Sequence, residues 1–327
     1  MLTKVLDSTD LKILYELDKS FRIPDSSIAK NVGISKQSVK KRIDKLVDNE
    51  VIKKFVVVIN MANFGVIPNQ IYISLHSSSE KRKIEFIDYL INEKAIAQVT
   101  LCEGIYDLFF GITGNNIYEI EEFLSVVFTK FYDIIKEKKI TIIIDTRLFP
   151  RDYLIDKNRE IIPNNKGFHQ RKFVKQDIKE IDNKILNILC LNPRIQIVDI
   201  ASQLDSNVQT IINRIKFLEK NCIIRGYMYL TNEKIMMQHT ILIELSSMDN
   251  NIEQKLFQYL SSCPNVIFIV KYFGEYNFAI TTECKNFNEH RNFCDSFKKE
   301  FSNNIKSFIP LFIHDIKKMD LLPPDMK

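Results

Sequence analysis

A shift of 172 residues lays Asp10–Phe55 of this chain on Asp182–Tyr227 without a gap, and 15 of the 46 paired positions are identical. The matches include Asp10, Leu14, Leu17, Arg22, Ile28, Ala29, Gln37, Arg42, Ile43 and Leu46, each with its counterpart further along. Unrelated segments of that length would share only a few. After a two-residue slip, Gly104-Ile105-Tyr106-Asp107 falls on Gly274-Glu275-Tyr276-Asn277. A duplication of this extent sets the domain count more firmly than length does, and the 327 residues divide into two copies of one two-part module.

Each copy opens on a helical pattern. Asp7 stands as an N-cap, and Leu11, Leu14 and Leu17 share one face of a first helix that runs through Lys19. Pro24-Asp25-Ser26 starts a short second helix around Ile28 and Ala29, Gly33 supplies a tight turn, and Ser35 caps a third helix reaching about Asp48. That helix buries Val39, Ile43 and Leu46 and turns Lys36, Gln37, Lys40 and Lys41 the other way. The β-branched run Val51–Ile59 follows and reads as the hairpin called a wing. Residues 1–60 are therefore expected to form a winged helix-turn-helix, and residues 177–232 a second one.

The remainder of each copy alternates β-rich runs with helical spacing. Strands are expected at Gln70–Leu75, Ile96–Leu101, Leu108–Thr113 and Thr141–Leu148, with helices at Lys81–Asn92 and Ile117–Phe131. The order βαββαβ predicts a ferredoxin-like unit over residues 61–150. The same order recurs over residues 233–327, with strands near Thr240–Leu245, Val266–Val270, Phe278–Thr282 and Ser307–Ile313 and helices near Ile252–Ser261 and Phe287–Phe301. The expected fold class is α+β, two winged helix-turn-helix domains alternating with two ferredoxin-like domains. Between the copies, residues 151–176 lose periodicity and contain Pro163-Asn164-Asn165-Lys166-Gly167, the composition of a linker. Arg151–Lys175 counts seven Lys or Arg against three Asp or Glu, so this tether is either simply solvated or touches an anion.

Composition removes several function classes. The eight glycines include no G-x-G-x-x-G and no G-x-x-x-x-G-K, which excludes the common phosphate-cradling enzymes. The six cysteines are scattered, with no C-x-x-C and no histidine at zinc-ligand spacing, so reduced thiols and no metal site are expected. The longest apolar stretches, such as Phe55–Ile59, are far too short to span a bilayer, and the start MLTKVLDSTD lacks the apolar core of a signal peptide. The expected location is the cytoplasm, with no membrane partner. The formal charge of +5 is concentrated: Lys and Arg outnumber Asp and Glu by 12 to 8 in residues 1–60 and by 8 to 6 in residues 175–232. An anionic partner at the helix-turn-helix units fits that distribution.

Four motifs carry a family likeness. They are L-D-x-x-D-x-K-I-L at Leu6–Leu14, I-A-x-x-x-G-I-S at Ile28–Ser35, R-I-x-x-L at Arg42–Leu46 and G-x-Y-D at Gly104–Asp107. In these the chain resembles the Lrp/AsnC "feast/famine" transcriptional regulators of bacteria and archaea, over nearly its whole length and twice. The resemblance implies a non-enzymatic, DNA-associated protein without a cofactor, a double-stranded DNA partner, homo-oligomers built through the βαββαβ domains, and a small effector such as an amino acid. The departure is the fusion, since ordinary members carry one copy and dimerise through the βαββαβ domain.

The expected DNA contacts of the first copy are Ser35, Lys36, Gln37, Ser38, Lys40 and Lys41 in the major groove, with Lys53 and Lys54 of the wing on the phosphate backbone. In the second copy Val208, Ile212 and Asn213 stand where the first has Lys36, Lys40 and Lys41. Asn207, Gln209, Thr210, Asn213 and Lys216 are left to read bases there, with a smaller phosphate term. Arg42 and Arg214 either pair with Asp10 and Asp182 or meet phosphate, and the persistence of acid and arginine together favours the pair.

By the resemblance, an effector would lie near the loop between the second and third strands of the βαββαβ domain, at Gly104, Tyr106 and Asp107 and at Gly274, Tyr276 and Asn277. The Gly104 N–H would meet a carboxylate and Asp107 an ammonium group, a role in which Asn277 lacks the charge. A hairpin turn that helps assembly is the equal alternative. Two other functions share the architecture. One is a siroheme-decarboxylase-like enzyme, for which His76, His169, His239, His290 and His314 are the candidates, although they are not repeated between copies and form no spaced cluster. The other is an interaction module without DNA, favoured by Val208 and Ile212 on the second recognition helix.

Overall fold

In the computed structural model, which describes residues 6–76, 80–159, 178–232, 235–247, 250–323 and 326, the first copy opens with α1 (Ser8–Lys19), α2 (Asp25–Val32) and α3 (Lys36–Asp48). Asp7 caps α1 as expected: its carboxylate accepts from the Asp10 N–H at 2.8 Å, and Asp10 accepts in return from the Asp7 N–H at 3.2 Å. Gly33 closes α2 with φ 79°, and Ser35 caps α3 by accepting from the Ser38 N–H at 3.1 Å. The second copy repeats the trio as α6 (Glu180–Leu191), α7 (Ile197–Gln203) and α8 (Val208–Lys220), numbered after the elements between. Its turn carries Asp205 at φ 46° where the first copy has Gly33, a conformation an aspartate adopts at some cost.

The run after α3 departs from expectation. Ile52–Ile59 is a single strand, β1, and not a hairpin. Its partner is β6 (Ile224–Thr231) of the other copy, paired antiparallel with Phe55 opposite Tyr229 and Val57 opposite Tyr227. The run holds no turn residue, so it cannot fold back on itself. An exposed β-branched strand needs a partner, and its repeat is the nearest one available. The winged domains thus share one two-stranded ribbon.

The first βαββαβ unit follows as β2 (Ile67–Leu75), α4 (Glu80–Asn92), β3 (Ile96–Glu103), β4 (Leu108–Gly114), α5 (Ile117–Lys130) and β5 (Ile135–Leu148). After α6 (Glu180–Leu191), α7 (Ile197–Gln203), α8 (Val208–Lys220) and β6, the second unit is β7 (Met237–Leu245), α9 (Asn250–Ser262), β8 (Val266–Phe273), β9 (Phe278–Cys284), α10 (Phe287–Glu300) and β10 (Ile305–Met319). The predicted elements are all present. The last strand of each unit is much longer than its apolar run, 14 residues for β5 and 15 for β10, because each pairs on two sides. The first part of β5 pairs with β2 and its end with β8, while β10 pairs first with β7 and then with β3.

These crossings close the eight strands into one barrel in the order β10-β3-β4-β2-β5-β8-β9-β7. Both joints between the half-sheets, β5 with β8 and β10 with β3, are made within one chain. Between the two half-sheets lies an apolar layer that includes Phe109, Leu242, Val270 and Leu311. Two tyrosine pairs cross it, Tyr72 with Tyr272 at 2.8 Å and Tyr106 with Tyr276 at 2.6 Å between hydroxyl oxygens. Buried hydroxyls so paired avoid the cost of an unsatisfied polar group.

The expected solvated linker is also corrected in its first part. Asp152–Ile155 forms a short 3-10 turn, and Arg151, Asp152, Tyr153 and Leu154 are all buried. Arg151 donates to Glu283 of β9 at 2.6 and 3.0 Å, to the Tyr229 carbonyl of β6 at 3.1 Å, and to Asp18 of α1. Tyr15 of α1 donates to Asp152 at 3.2 Å, and Arg159 donates to Asp152 at 2.7 Å and to the Val266 carbonyl at 3.0 Å. A buried charge must be paired, and here the pairing ties the first helix-turn-helix to the second copy. Residues 160–177, including the Pro163–Gly167 stretch, lie outside the described residues. Among the described residues, no helix is long and apolar enough to cross a membrane.

Candidate functional site

The α3 helix is held by one face and free on the other. Val39, Ile43 and Leu46 are buried, while Lys36, Gln37, Lys40 and Lys41 are exposed. No ion pair or hydrogen bond from a described residue engages the three lysine side chains. Arg42 points elsewhere: it donates to Asp10 at 2.6 Å and to Asp7 at 2.7 Å, locking α3 to the start of α1. In the second copy Arg214 makes the matching bond to Asp182 at 2.7 Å. Both arginines are therefore structural, as the repeated acid suggested. Ser35 and Ser38 are committed to the helix cap, with their hydroxyls 2.9 Å apart.

The wing lysines are placed differently from expectation. Lys53 meets Asp315 at 3.2 Å and Lys54 donates to the Met319 carbonyl at 2.8 Å, so both reach the end of β10. They sit on the shared ribbon rather than at the tip of a hairpin. On α8, Asn207 caps the helix through the Thr210 N–H at 2.7 Å, and Gln209 donates to Asn213 at 2.9 Å. Lys216 is exposed, Val208 is 39% exposed, and Ile212 is only half-exposed. The cationic surface of the two helices is thus unequal.

The helix-turn-helix units also grip each other reciprocally. Arg22 donates to the Pro193 carbonyl at 2.7 Å and the Ile195 carbonyl at 3.3 Å, and its counterpart Arg194 donates to Asp25 at 2.9 Å. With β1 on β6, these contacts hold the two units in a fixed pair.

The Gly104–Asp107 and Gly274–Asn277 turns meet the barrel joint. The Tyr106 and Tyr276 side chains are buried. Asp107 accepts from the Leu75 N–H at 2.6 Å, and Asn277 accepts in the same way from the Leu245 N–H at 2.7 Å. Acid and amide perform one job, which explains how the charge could be lost in the second copy. A Cβ at Gly104, where φ is 145°, would stand 3.0 Å from both the Pro310 carbonyl oxygen and Leu311 Cδ2. Glycine is needed there for the close passage of β10.

The winged helix-turn-helix DNA-binding family profile matches residues 6–53 and 178–225, the two helical trios. The regulator FL11 of Pyrococcus furiosus is 30% identical over 123 residues, 38% of this chain and 80% of that protein. LysM of Sulfurisphaera tokodaii is 32% identical over 117 residues, 36% of this chain and 81% of that protein. Each is called an HTH-type transcriptional regulator, and each corresponds to about one module. The chain belongs to the Lrp/AsnC family. It differs from the one-module Lrp/AsnC relatives in holding the module twice. A solved siroheme decarboxylase, NirDL, shares the fold of this Lrp/AsnC chain end to end, at a TM-score of 0.60 and 14% identity over 96% of this chain and 93% of that one.

One group of side chains was missed from sequence. His239 of β7, Cys284 of β9 and His290 of α10 are buried together, with ligand atoms within 4.8 Å of one another. Burial and the neighbouring His290 push the His239 imidazole down to about 3, so the ring is neutral. Three elements bring these residues together, and the one local signal was His290 and Cys294 spaced a turn apart on a helix. Of the other histidines, His76 and His314 are exposed and His169 lies outside the described residues.

Proposed function

We propose that the chain is a DNA-binding transcriptional regulator in which the first helix-turn-helix supplies most of the phosphate neutralisation. The observation that carries this reading is the solvent face of α3, where Lys36, Lys40 and Lys41 flank Gln37 without intramolecular engagement by a described residue. Lysines so placed release counterions on meeting a duplex and can reach guanine edges, and Gln37 can pair with adenine. The second unit, with Gln209, Thr210 and Asn213 on α8, adds polar contacts and little charge. The names of the relatives FL11 and LysM support the same reading.

In this proposal no catalytic step is involved, and the Gly104–Asp107 and Gly274–Asn277 turns serve assembly rather than an amino-acid effector. Their support is the backbone N–H already held by Asp107 and by Asn277, and the crowding of Gly104 by β10. The test is selection of duplexes from a random library by the purified chain, followed by anisotropy titration at low salt. Enrichment of a defined sequence is expected, and absence of duplex binding would refute the proposal. Incubation with siroheme is expected to leave its spectrum unchanged; a shifted Soret band with decarboxylated product would replace the regulator reading with the enzyme one.

A further inference from the structure

The second ferredoxin-like unit holds a set of donors that the first lacks entirely. An offset of 170 residues carries β2, β4 and α5 onto β7, β9 and α10, as Ile67 onto Met237 shows. On that offset His239, Cys284, His290 and Cys294 replace Asn69, Gly114, Ile120 and Leu124. Four positions that carry no thiol or imidazole in one copy all carry one in the other. The coincidence is the more pointed because His239, Cys284 and His290 come from three elements and bring their ligand atoms within 4.8 Å of one another only in the folded chain, with Cys294 one turn along α10 beside His290.

The geometry has the marks of a cation site. His239 and Cys284 are fully buried, His290 is 4% exposed and Cys294 9%. Among the described residues, both ring nitrogens of His239 lack a hydrogen-bond partner, as does the hydroxyl of Thr282 opposite it on β9, a costly state for buried polar groups. The His239 and His290 rings stack with centroids 3.6 Å apart, so one ring must turn to aim its in-plane lone pair at a shared ion, and Cys294 Sγ lies 3.4 Å from His290 Nε2. An open pocket of about 400 Å³, lined by His290, Cys294, Phe287 and Phe312 among others, leads to the two α10 donors from solvent. In the first copy the same place is filled, since a Cβ on Gly114 would fall 2.7 Å from Ile120 Cγ1.

We infer that His239, Cys284 and His290 bind one borderline-soft transition-metal cation, with Cys294, 3.4 Å from His290 Nε2, moving in as the fourth donor, zinc being the class that suits two imidazoles and two thiolates. Both thiols give up their protons on binding, so M²⁺ and two Cys–SH yield a neutral bis-thiolate site and two released protons. The cation fastens α10 to β7 and β9, beneath Phe312 of β10. The site is separate from the helix-turn-helix surface and does not depend on DNA binding.

The test uses the full, untagged chain stripped with a chelator. It is expected to take up one zinc per chain in competition with a chromophoric chelator, and with cobalt to show tetrahedral ligand-field bands and a thiolate-to-cobalt charge-transfer band. His239→Asn and His290→Ile install residues that the first copy already holds there, and each is expected to abolish stoichiometric uptake while circular dichroism stays unchanged. Cys222→Ser, at an exposed cysteine away from the cluster, is expected to retain it. The cobalt charge-transfer band of the unmodified chain reads thiolate ligation even if a variant fails to fold. Absence of stoichiometric uptake, a cobalt spectrum without thiolate ligation, or undiminished uptake by folded His239→Asn would overturn the inference.

Discussion

Glu283 accepts hydrogen bonds from the Arg151 guanidinium at 2.6 and 3.0 Å, from Tyr153 and Gln238 at 2.6 Å each, and from Thr231 at 2.9 Å. Burial alone would raise this carboxyl, but Arg151 and the other donors hold it below its ordinary 4.5. The sign for stability follows. A depressed carboxylate contributes stability that is present above 4.5 and is lost as pH falls through the lower folded value. Glu283→Ala takes from Arg151 one of its two buried carboxylates, Asp18 being the other, and leaves Tyr153 and Gln238 without their acceptor; it should cost about 3–5 kcal/mol in denaturant unfolding at neutral pH. Glu283→Gln should flatten the acid limb of the stability curve; an unchanged acid limb would show that the group does not matter. Local chemistry decided what could be read at this scale. Asp10 with Arg42 was legible because the same pair recurs at Asp182 with Arg214. Arg151 and Glu283, like His239 and Cys284, sit far apart in sequence, and no periodicity announces a contact made only after the barrel closes.

Among the elements, helices were legible nearly to the residue because caps and apolar spacing are local properties: Asp7, Gly33 and Ser35 act where they were placed. Strands were legible as runs but not as pairings. Val51–Ile59 carries the signature of a strand without that of a partner, and only the structure shows β6 opposite it. The long β5 and β10 escaped full recognition because their extensions, Lys136–Lys139 in the one and Lys317–Lys318 in the other, are polar where the strand is open to solvent. The turn at Gly104 belongs to the same level, since its shape serves the passage of β10. Gly104→Ala should lower stability by about 1–3 kcal/mol, from an unfavourable φ and a clash with backbone. Thermal melting would measure it, and the native chain's melting temperature should not rise with added amino acids. A neutral Gly104→Ala, or a clear rise with one amino acid, would return the turn to the effector role.

For the whole molecule, duplication has put a dimer's worth of Lrp/AsnC modules into one chain and freed the two copies to diverge. The barrel joint and the reciprocal arginines Arg22 and Arg194 keep the pair symmetric. The side chains the two copies carry have not stayed so. The first copy keeps the lysines of α3 and the second holds the histidine and cysteine cluster. A symmetric dimer of identical chains could not assign these features to different halves. Whether the first unit supplies the chief grip on DNA is read from the salt dependence of duplex binding. Lys40→Ala with Lys41→Ala should weaken binding and reduce the slope of log K against log salt by about 2, roughly one for each phosphate contact removed. Gln209→Ala with Asn213→Ala should leave the slope unchanged. Equal slopes for the native chain and the lysine variant, or a larger loss from the second-copy variant, would contradict a chief grip by the first unit.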